Sequence, residues 1–148
     1  MLFSKRKQIV KRVLVVEDEP LTAFDNEVLI EAAGYEVVAT CDKVRDALAT
    51  LDALALDGSG VDLILSDVKL NGERSGVDLA RLAKERGVPV LLVTGRCPDD
   101  ARDVAIGCLT KPYTDKVLKE AILAVEAHLL GKTPKLPKGL ELFAVTKE

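Results

Sequence analysis

The sequence predicts one α/β domain, in which helices cover both faces of a doubly wound, five-stranded parallel sheet. Short aliphatic runs, typical of strands buried on both faces, alternate along the chain with segments of helical period. Because strands and helices alternate strictly with short connections, the strands are expected to be parallel, and each helix then forms a right-handed crossover between two of them. Because the 148 residues include only 2 Tyr, 3 Phe and no Trp, the core has to be built from aliphatic side chains.

Five apolar runs predict the strands, and they cover residues 13–16, 36–39, 61–66, 89–93 and 106–110. Apolar residues at helical spacing follow the first, second, third and fifth runs and predict a helix after each of them. The apolar faces of these four helices are, in order, Leu21, Phe24, Val28 and Ala32; Val44, Ala47, Leu48, Leu51 and Ala55; Val77, Ala80 and Ala83; and Val117, Leu118, Ala121, Ile122, Val125 and Leu129. Gly34 and Gly87 end the first and third helices. Residues 96–105 contain Pro98, so we expect the helix between the last two strands to be short or irregular.

The chain divides into a basic N-terminal arm at 1–11, the domain at 12–131 and a C-terminal extension at 132–148. That length leaves no room for a separate DNA-binding or catalytic output domain, so we expect none. The formal net charge of −3 gives no reason to expect nucleic acid as a partner. No apolar run is long enough for a signal peptide or a membrane helix, so we expect no membrane partner and a cytoplasmic location.

Three cysteines, at positions 41, 97 and 108, form an odd set without C-x-x-C spacing. This pattern argues against a disulfide framework and against a zinc site, and it fits a reducing compartment. Cys108 is expected to be a small, inert core residue rather than a redox sensor. His128, the only histidine, is expected on the surface of the last helix.

Polar residues stand where predicted strands end: Glu17 and Asp18 after the first, Asp67 after the third, Thr94 after the fourth and Lys111 after the fifth. The carboxyl ends of parallel strands share one edge of a sheet, which is where such folds bind ligands. Three carboxylates in one cleft repel each other unless a hard divalent cation such as Mg²⁺ lies among them. The lysine and the threonine hydroxyl suit a phosphoryl group, and the central carboxylate could attack phosphorus.

Over residues 12–130 the sequence resembles the receiver domains of two-component response regulators. The motifs that carry the resemblance are Val15-Val16-Glu17-Asp18-Glu19-Pro20, Leu65-Ser66-Asp67, Val93-Thr94-Gly95 and Gly107-Cys108-Leu109-Thr110-Lys111-Pro112. The resemblance implies a flavodoxin-like sheet of strand order 2-1-3-4-5 and a phosphoryl group on Asp67. It also implies a sensor histidine kinase or histidine phosphotransfer protein as donor, and a downstream protein target or a role as phosphate shuttle or sink.

The same resemblance implies roles for individual residues. The Mg²⁺ ligands are Asp18 and Asp67, Glu17 acting through a water, and the Lys69 backbone carbonyl. Thr94 and Lys111 contact the phosphoryl group, and the Lys111–Pro112 peptide bond is often cis in the family. Lys69 and Arg96 lie where the family adjusts the lifetime of the phosphorylated state.

The sequence departs from the family pattern in three places. The loop after Asp67 lacks the common proline at Asn71 and is one residue longer. Only 16 residues separate Thr94 from Lys111, which is fewer than usual by more than one helical turn. Cys108 stands where the family has a Tyr or Phe that swings inward, so we expect activation without an aromatic switch.

Two other functions remain open from the residues. A phosphatase of the haloacid-dehalogenase type also uses an aspartate nucleophile with Mg²⁺ and a lysine, but it needs a second acid where this chain has Lys69. A flavodoxin-like binding module would hold no metal and accept no phosphoryl group on Asp67. We expect the receiver function, with no enzyme activity beyond the domain's own phosphorylation and dephosphorylation.

Overall fold

Strands and helices alternate through the computed structural model, which describes residues 9–144. The strands are β1 (Arg12–Val16), β2 (Glu36–Cys41), β3 (Leu63–Asp67), β4 (Val90–Thr94), β5 (Gly107–Thr110) and β6 (Leu140–Leu142). The helices are α1 (Pro20–Ala32), α2 (Val44–Leu56), α3 (Gly76–Glu85) and α4 (Asp115–Leu129), with a 3₁₀ turn at Asp99–Ala101. Each predicted strand and helix is therefore present, and the segment between β4 and β5 is short and irregular as expected.

One sheet runs through the molecule in the order β2-β1-β3-β4-β5-β6. The first five strands are parallel, which confirms the predicted order 2-1-3-4-5. The prediction of only five strands was incomplete, because β6 pairs antiparallel with β5, with Leu140 opposite Leu109. The three residues of β6 are too few to form a recognisable strand pattern in the sequence, and a strand this short forms only because it can pair with the edge of β5.

The core forms two layers, one on each face of the sheet, because side chains alternate along every strand. On one face Val13, Val15 and their neighbours pack under α1 and α4. On the other face Leu14 and Val16 pack under α2, α3 and the 3₁₀ turn. All four of these side chains are fully buried. The predicted aliphatic core with helices on both faces is confirmed.

Helix α1 buries a different side from the one its apolar spacing suggests. Its buried residues are Ala23, Asn26 and Ile30, whereas Leu21, Phe24 and Val28 are 74%, 61% and 48% exposed. Asn26 is tolerated inside because its Oδ1 accepts a 2.7 Å hydrogen bond from the Tyr113 hydroxyl. The helix therefore leaves an apolar stripe on the protein surface.

A disulfide joins Cys97, in the segment between β4 and β5, to Cys108 in β5, and the two Cα atoms are 6.0 Å apart. The expectation that the cysteines form no disulfide was wrong, because the fold brings together two residues that lie 11 positions apart in the sequence. Cys108 is buried in the core, as predicted, but it is bonded to Cys97 rather than present as an inert thiol. Cys41 is the free cysteine among the described residues.

Both ends of the described chain pack on the domain. The amides of Ile9 and Val10 donate to the buried Glu126 carboxylate at 2.8 and 2.9 Å. Beyond β6, Phe143 is 4% exposed, and its carbonyl lies 2.6 Å from Nε2 of the half-buried His128. The basic residues Lys5, Arg6 and Lys7 of the predicted arm lie outside the described residues. Within residues 9–144 we find no helix with the length and apolarity needed to cross a bilayer.

Candidate functional site

Three carboxylates meet at the carboxyl edge of the sheet, where β1 and β3 lie side by side. Ser66, the residue before Asp67, pairs with Val16, the residue before Glu17. Oxygen atoms of Glu17, Asp18 and Asp67 consequently all lie within 4.8 Å of one another. The parallel register of two neighbouring strands thus assembles the acidic cluster from distant parts of the sequence.

Glu17 forms the buried floor of this cluster and is only 5% exposed. Its Oε2 accepts a 3.1 Å hydrogen bond from the backbone amide of Glu19. Burial, followed by the negative charge of Asp67, raises the pKa of Glu17 even though the Glu19 amide and Lys111 act in the opposite direction. The carboxylate of Glu19 turns away and caps α1, accepting from the amides of Leu21 and Thr22.

Lys111 supplies the positive charge of the site. Its Nζ donates to Oδ2 of Asp67 at 2.9 Å and lies 3.6 Å from Oε1 of Glu17. Although burial lowers the pKa of Lys111, the hydrogen bond and the charge of Asp67 outweigh it and raise that pKa above its usual value. The Lys111–Pro112 peptide bond is cis, which confirms the expectation from the family.

The position of Asp67 depends on its own loop and on α3. Its Oδ1 accepts a 2.7 Å hydrogen bond from the Val68 amide, while Oδ2 faces Lys111. Gly76, the first residue of α3, donates its amide to the Val68 carbonyl at 2.7 Å. A Cβ at Gly76 would collide with the Asp67 backbone carbonyl. Only glycine therefore lets α3 begin this close to Asp67.

The structure does not bring every predicted site residue to the carboxylates. Thr94 ends β4, and its hydroxyl donates to the Arg96 carbonyl at 3.0 Å and accepts from the Arg96 amide at 3.3 Å. Its carbonyl accepts from the Lys111 amide at 2.9 Å, which holds the ends of β4 and β5 together. The side chains of Lys69 and Arg96 are exposed. The predicted roles of these residues remain predictions.

Tyr113 is a neighbour of the site that the sequence did not reveal. Burial and the negative charge of Glu17 raise the pKa of its hydroxyl to about 12. The hydroxyl donates to Asn26 on α1, so the loop after Lys111 is joined to the helix that follows Glu17 and Asp18. A lone tyrosine next to Pro112 carried no signal for this contact, which joins positions 87 residues apart.

The donor set of the acidic cluster suits a hard divalent cation, which prefers carboxylate and carbonyl oxygens. Asp18 is half-exposed at the mouth of the cluster, and Glu17 keeps one oxygen that does not bind the Glu19 amide. Lys111 neutralises only part of the three negative charges. The cluster can therefore hold a metal ion.

Comparisons with known proteins agree with this geometry. The family model for the response regulator receiver domain matches residues 13–123. The transcriptional regulatory protein AruR of Pseudomonas aeruginosa is 32% identical over 123 residues, which cover 82% of this chain and 50% of AruR. The transcriptional regulatory protein PdtaR of Mycobacterium tuberculosis is 31% identical over 145 residues, covering 90% of this chain and 68% of PdtaR.

Solved structures give the same result. The signal receiver domain of a modulated diguanylate cyclase from Desulfovibrio desulfuricans G20 superposes with a TM-score of 0.70 at 28% identity, covering 83% of this chain and 99% of that chain. The chain spans half or less of the first two curated relatives that it matches, 50% of AruR and 30% of the regulator PhyR. With the acidic cluster, the lysine and the strand order in place, the chain belongs to the response regulator receiver domain family.

Proposed function

We propose that this receiver domain accepts a phosphoryl group on Asp67 from the phosphohistidine of a sensor kinase or a histidine phosphotransfer protein. The observation that carries the proposal is the position of Asp67 within the acidic cluster and beside Lys111, whose Nζ lies 2.9 Å from Oδ2 of Asp67. The phosphorylated domain then acts through contact with a protein, or it passes on or stores the phosphoryl group. It carries out no reaction other than its own phosphorylation and dephosphorylation.

In the proposed reaction Oδ2 of Asp67 attacks the phosphorus atom, a new P–O bond forms, and the P–N bond to the donor histidine breaks. The electron pair of that bond leaves with the imidazole. Lys111 exchanges its hydrogen bond with Asp67 for one with a phosphoryl oxygen, so its charge follows the developing negative charge. The Thr94 hydroxyl turns from Arg96 and donates to another phosphoryl oxygen.

Mg²⁺ is the ion that we propose for the acidic cluster, held by Asp18, Asp67, the Lys69 carbonyl and, through a water, Glu17. When bound, it would offset the repulsion between the aspartate and the incoming phosphoryl oxygens. The set of oxygen donors in the cluster supports this choice. A phosphatase of the haloacid-dehalogenase type is disfavoured, because the exposed Lys69 stands where that chemistry needs a second acid.

The apolar stripe on α1, made of Leu21, Phe24 and Val28, supports a protein as the phosphodonor. Helix α1 begins at Pro20, directly after the Glu17 and Asp18 loop, so the stripe adjoins the site. Exposed apolar patches beside polar residues are typical of protein interaction surfaces. We propose that the donor contacts this stripe and that the exchange takes place in the cytoplasm.

Labelling with acetyl phosphate and Mg²⁺ tests the proposal, with intact mass as the measurement. We expect the protein to gain one phosphoryl group and the Asp67→Asn variant to gain none. Phe24→Ala is the matched control, because it should label normally with acetyl phosphate yet accept phosphate slowly from a histidine kinase. Equal labelling of Asp67→Asn and the native protein would refute the assignment of Asp67.

A further inference from the structure

The disulfide between Cys97 and Cys108 joins the two segments that carry Thr94 and Lys111. Cys97 lies three residues after Thr94 at the start of the β4–β5 connection, and Cys108 lies in β5 three residues before Lys111. Leu92 of β4 pairs with Cys108 in the sheet, so Cys108 is fixed by the core. The disulfide therefore attaches the loop after Thr94 to a rigid strand.

The disulfide restrains Thr94, whose hydroxyl must move to contact a phosphoryl group. In the disulfide form the Thr94 hydroxyl both donates to and accepts from the backbone of Arg96, which precedes Cys97. The hydroxyl can contact a phosphoryl oxygen on Asp67 only if these hydrogen bonds break and the turn at residues 94–97 rearranges. A covalent bond at Cys97 opposes that rearrangement from the far side of the turn.

The rest of the connection is held by other contacts. Ala101 is fully buried, and Arg102 forms a 2.7 Å ion pair with Glu141 of β6 and lies 5.2 Å above the Phe143 ring. The 3₁₀ turn consequently stays in place whether or not the cysteines are joined. Loss of the disulfide would free residues 95–98 and little else.

We propose that Cys97 and Cys108 form a reversible thiol switch that controls how readily Thr94 engages a phosphoryl group on Asp67. The oxidised form holds the turn at residues 94–97 away from the phosphoryl group, and the reduced form releases it. This regulation rests on the proposed phosphorylation of Asp67. Disulfides of cytosolic proteins are usually transient or redox-sensing rather than structural, which agrees with such a role.

A small-molecule disulfide of the glutathione class is the proposed oxidant. The half-buried Cys97, as thiolate, attacks one sulfur of that disulfide, and the other sulfur leaves as a thiolate. The Cys108 thiolate then attacks the Cys97 sulfur of the mixed disulfide and releases the second small thiolate. The two cysteines lose two electrons and two protons in total, and the small disulfide is reduced to two thiols. A small dithiol reverses both steps.

Cys41 provides an internal comparison. It is half-buried like Cys97, but it has no cysteine within bonding reach, and burial raises the pKa of its thiol. The thiolate is the reactive form, so Cys41 should exchange slowly. Oxidation should therefore be confined to the pair.

The first part of the test counts thiols by intact mass after treatment with oxidised glutathione and an alkylating agent. We expect the native protein to lose two hydrogen atoms and to keep one alkylatable thiol. The Cys41→Ser variant should form the same disulfide, whereas Cys97→Ser should form none. An alkylation pattern that left all three thiols free would overturn the proposal without involving Asp67.

The second part measures binding of beryllofluoride, a phosphoryl analogue, in the presence of Mg²⁺ by fluorine NMR. We expect the reduced protein to bind about fivefold more tightly or better, the lower end of usual coupling between two sites. Linkage then requires beryllofluoride to shift the thiol–disulfide equilibrium towards the dithiol by the same factor. Cys97→Ser should bind like the reduced protein under all conditions, and Cys41→Ser should respond to oxidation as the native protein does.

Failure of the switch and failure of the proposed function give different results. Equal beryllofluoride affinity in both redox states would overturn the switch and leave the proposed function intact. Absence of beryllofluoride binding in both states would refute the proposed function, while the thiol count would still report on the disulfide. Weaker binding by the reduced protein would also overturn the proposal, because it reverses the predicted direction.

Discussion

Nζ of Lys111 lies 2.9 Å from Oδ2 of Asp67, so the lysine occupies the side of the aspartate that faces away from the Val68 amide. The same ammonium group lies 3.6 Å from Glu17 and offsets part of the negative charge of the cluster. A cation that binds the carboxylates has to share them with this lysine.

We expect Lys111→Gln to bind Mg²⁺ more tightly than the native protein and to be less stable without metal. Two unit charges about 4 Å apart interact by roughly 4 kcal/mol near a protein surface. Because the lysine side chain is flexible, it can move away from a bound cation and avoid most of this repulsion. A gain of about tenfold in Mg²⁺ affinity, about 1.4 kcal/mol, is therefore expected. Titration calorimetry measures it, with the exposed Lys119→Gln as control. Unchanged affinity would show that Lys111 does not compete with the metal.

Metal binding should depend more on Asp18 than on Glu17. Glu17 already accepts a hydrogen bond from the Glu19 amide and is buried, whereas Asp18 is half-exposed at the mouth of the cluster. We expect Asp18→Ala to weaken Mg²⁺ binding by about tenfold more than Glu17→Ala does, equivalent to about 1.4 kcal/mol. Equal affinities for the two variants would contradict the assignment of Asp18 as the direct ligand.

The raised pKa of Glu17 predicts how stability changes with pH in metal-free protein. Its protonated form favours the fold, so this stabilisation is complete below the ordinary pKa of 4.5 and is lost as the pH rises through the higher folded value. Glu17→Gln resembles the protonated form, so it should become more stable than the native protein as the pH rises. Urea unfolding in EDTA, from acid to neutral pH, measures the difference in the free energy of unfolding between the two proteins. A difference that does not change with pH would contradict the prediction.

Gly76→Ala should destabilise the protein although alanine favours helices. A Cβ at this position meets the Asp67 carbonyl, and such overpacking typically costs about 1–3 kcal/mol. Gly95→Ala is a suitable control, because a Cβ there meets no atom within 4 Å. Urea unfolding of both variants compares them. A Gly76→Ala protein as stable as the native one would mean that α3 can shift without cost.

Lys69 and Arg96 are predicted to affect the lifetime of the phosphoryl group on Asp67. Both side chains are exposed on loops that follow strands ending at the site, β3 and β4. Two cations beside a phosphoryl group can shield it from water, so replacing both with alanine should speed loss of phosphate from Asp67. Decay of the phosphorylated form by intact mass measures the rate, with Lys119→Ala as control. An unchanged rate would show that these side chains point elsewhere.

The sequence by itself determined the five parallel strands and the residues of the acidic site, while the strand order came from the resemblance to receiver domains. Those signals are local: an aliphatic run defines each strand, and the residue that ends it lies at the carboxyl edge of a parallel sheet. The sequence alone therefore predicts that Glu17, Asp18, Asp67 and Lys111 lie together. The short connection between β4 and β5 was predictable for the same reason, because it depends on segment length and Pro98 alone.

Tertiary structure alone decided which surfaces and which distant residues meet. Helical spacing on α1 indicated that Phe24 would face the core, but the helix packs through Ala23 and Ile30 and leaves Phe24 exposed. Asn26 is buried on the same side and accepts a hydrogen bond from Tyr113. Likewise β6 forms only because the edge of β5 is present, and Cys97 reaches Cys108 only because the connection folds back over the sheet. Each depends on contacts between residues far apart in the chain, whose energies no local pattern records.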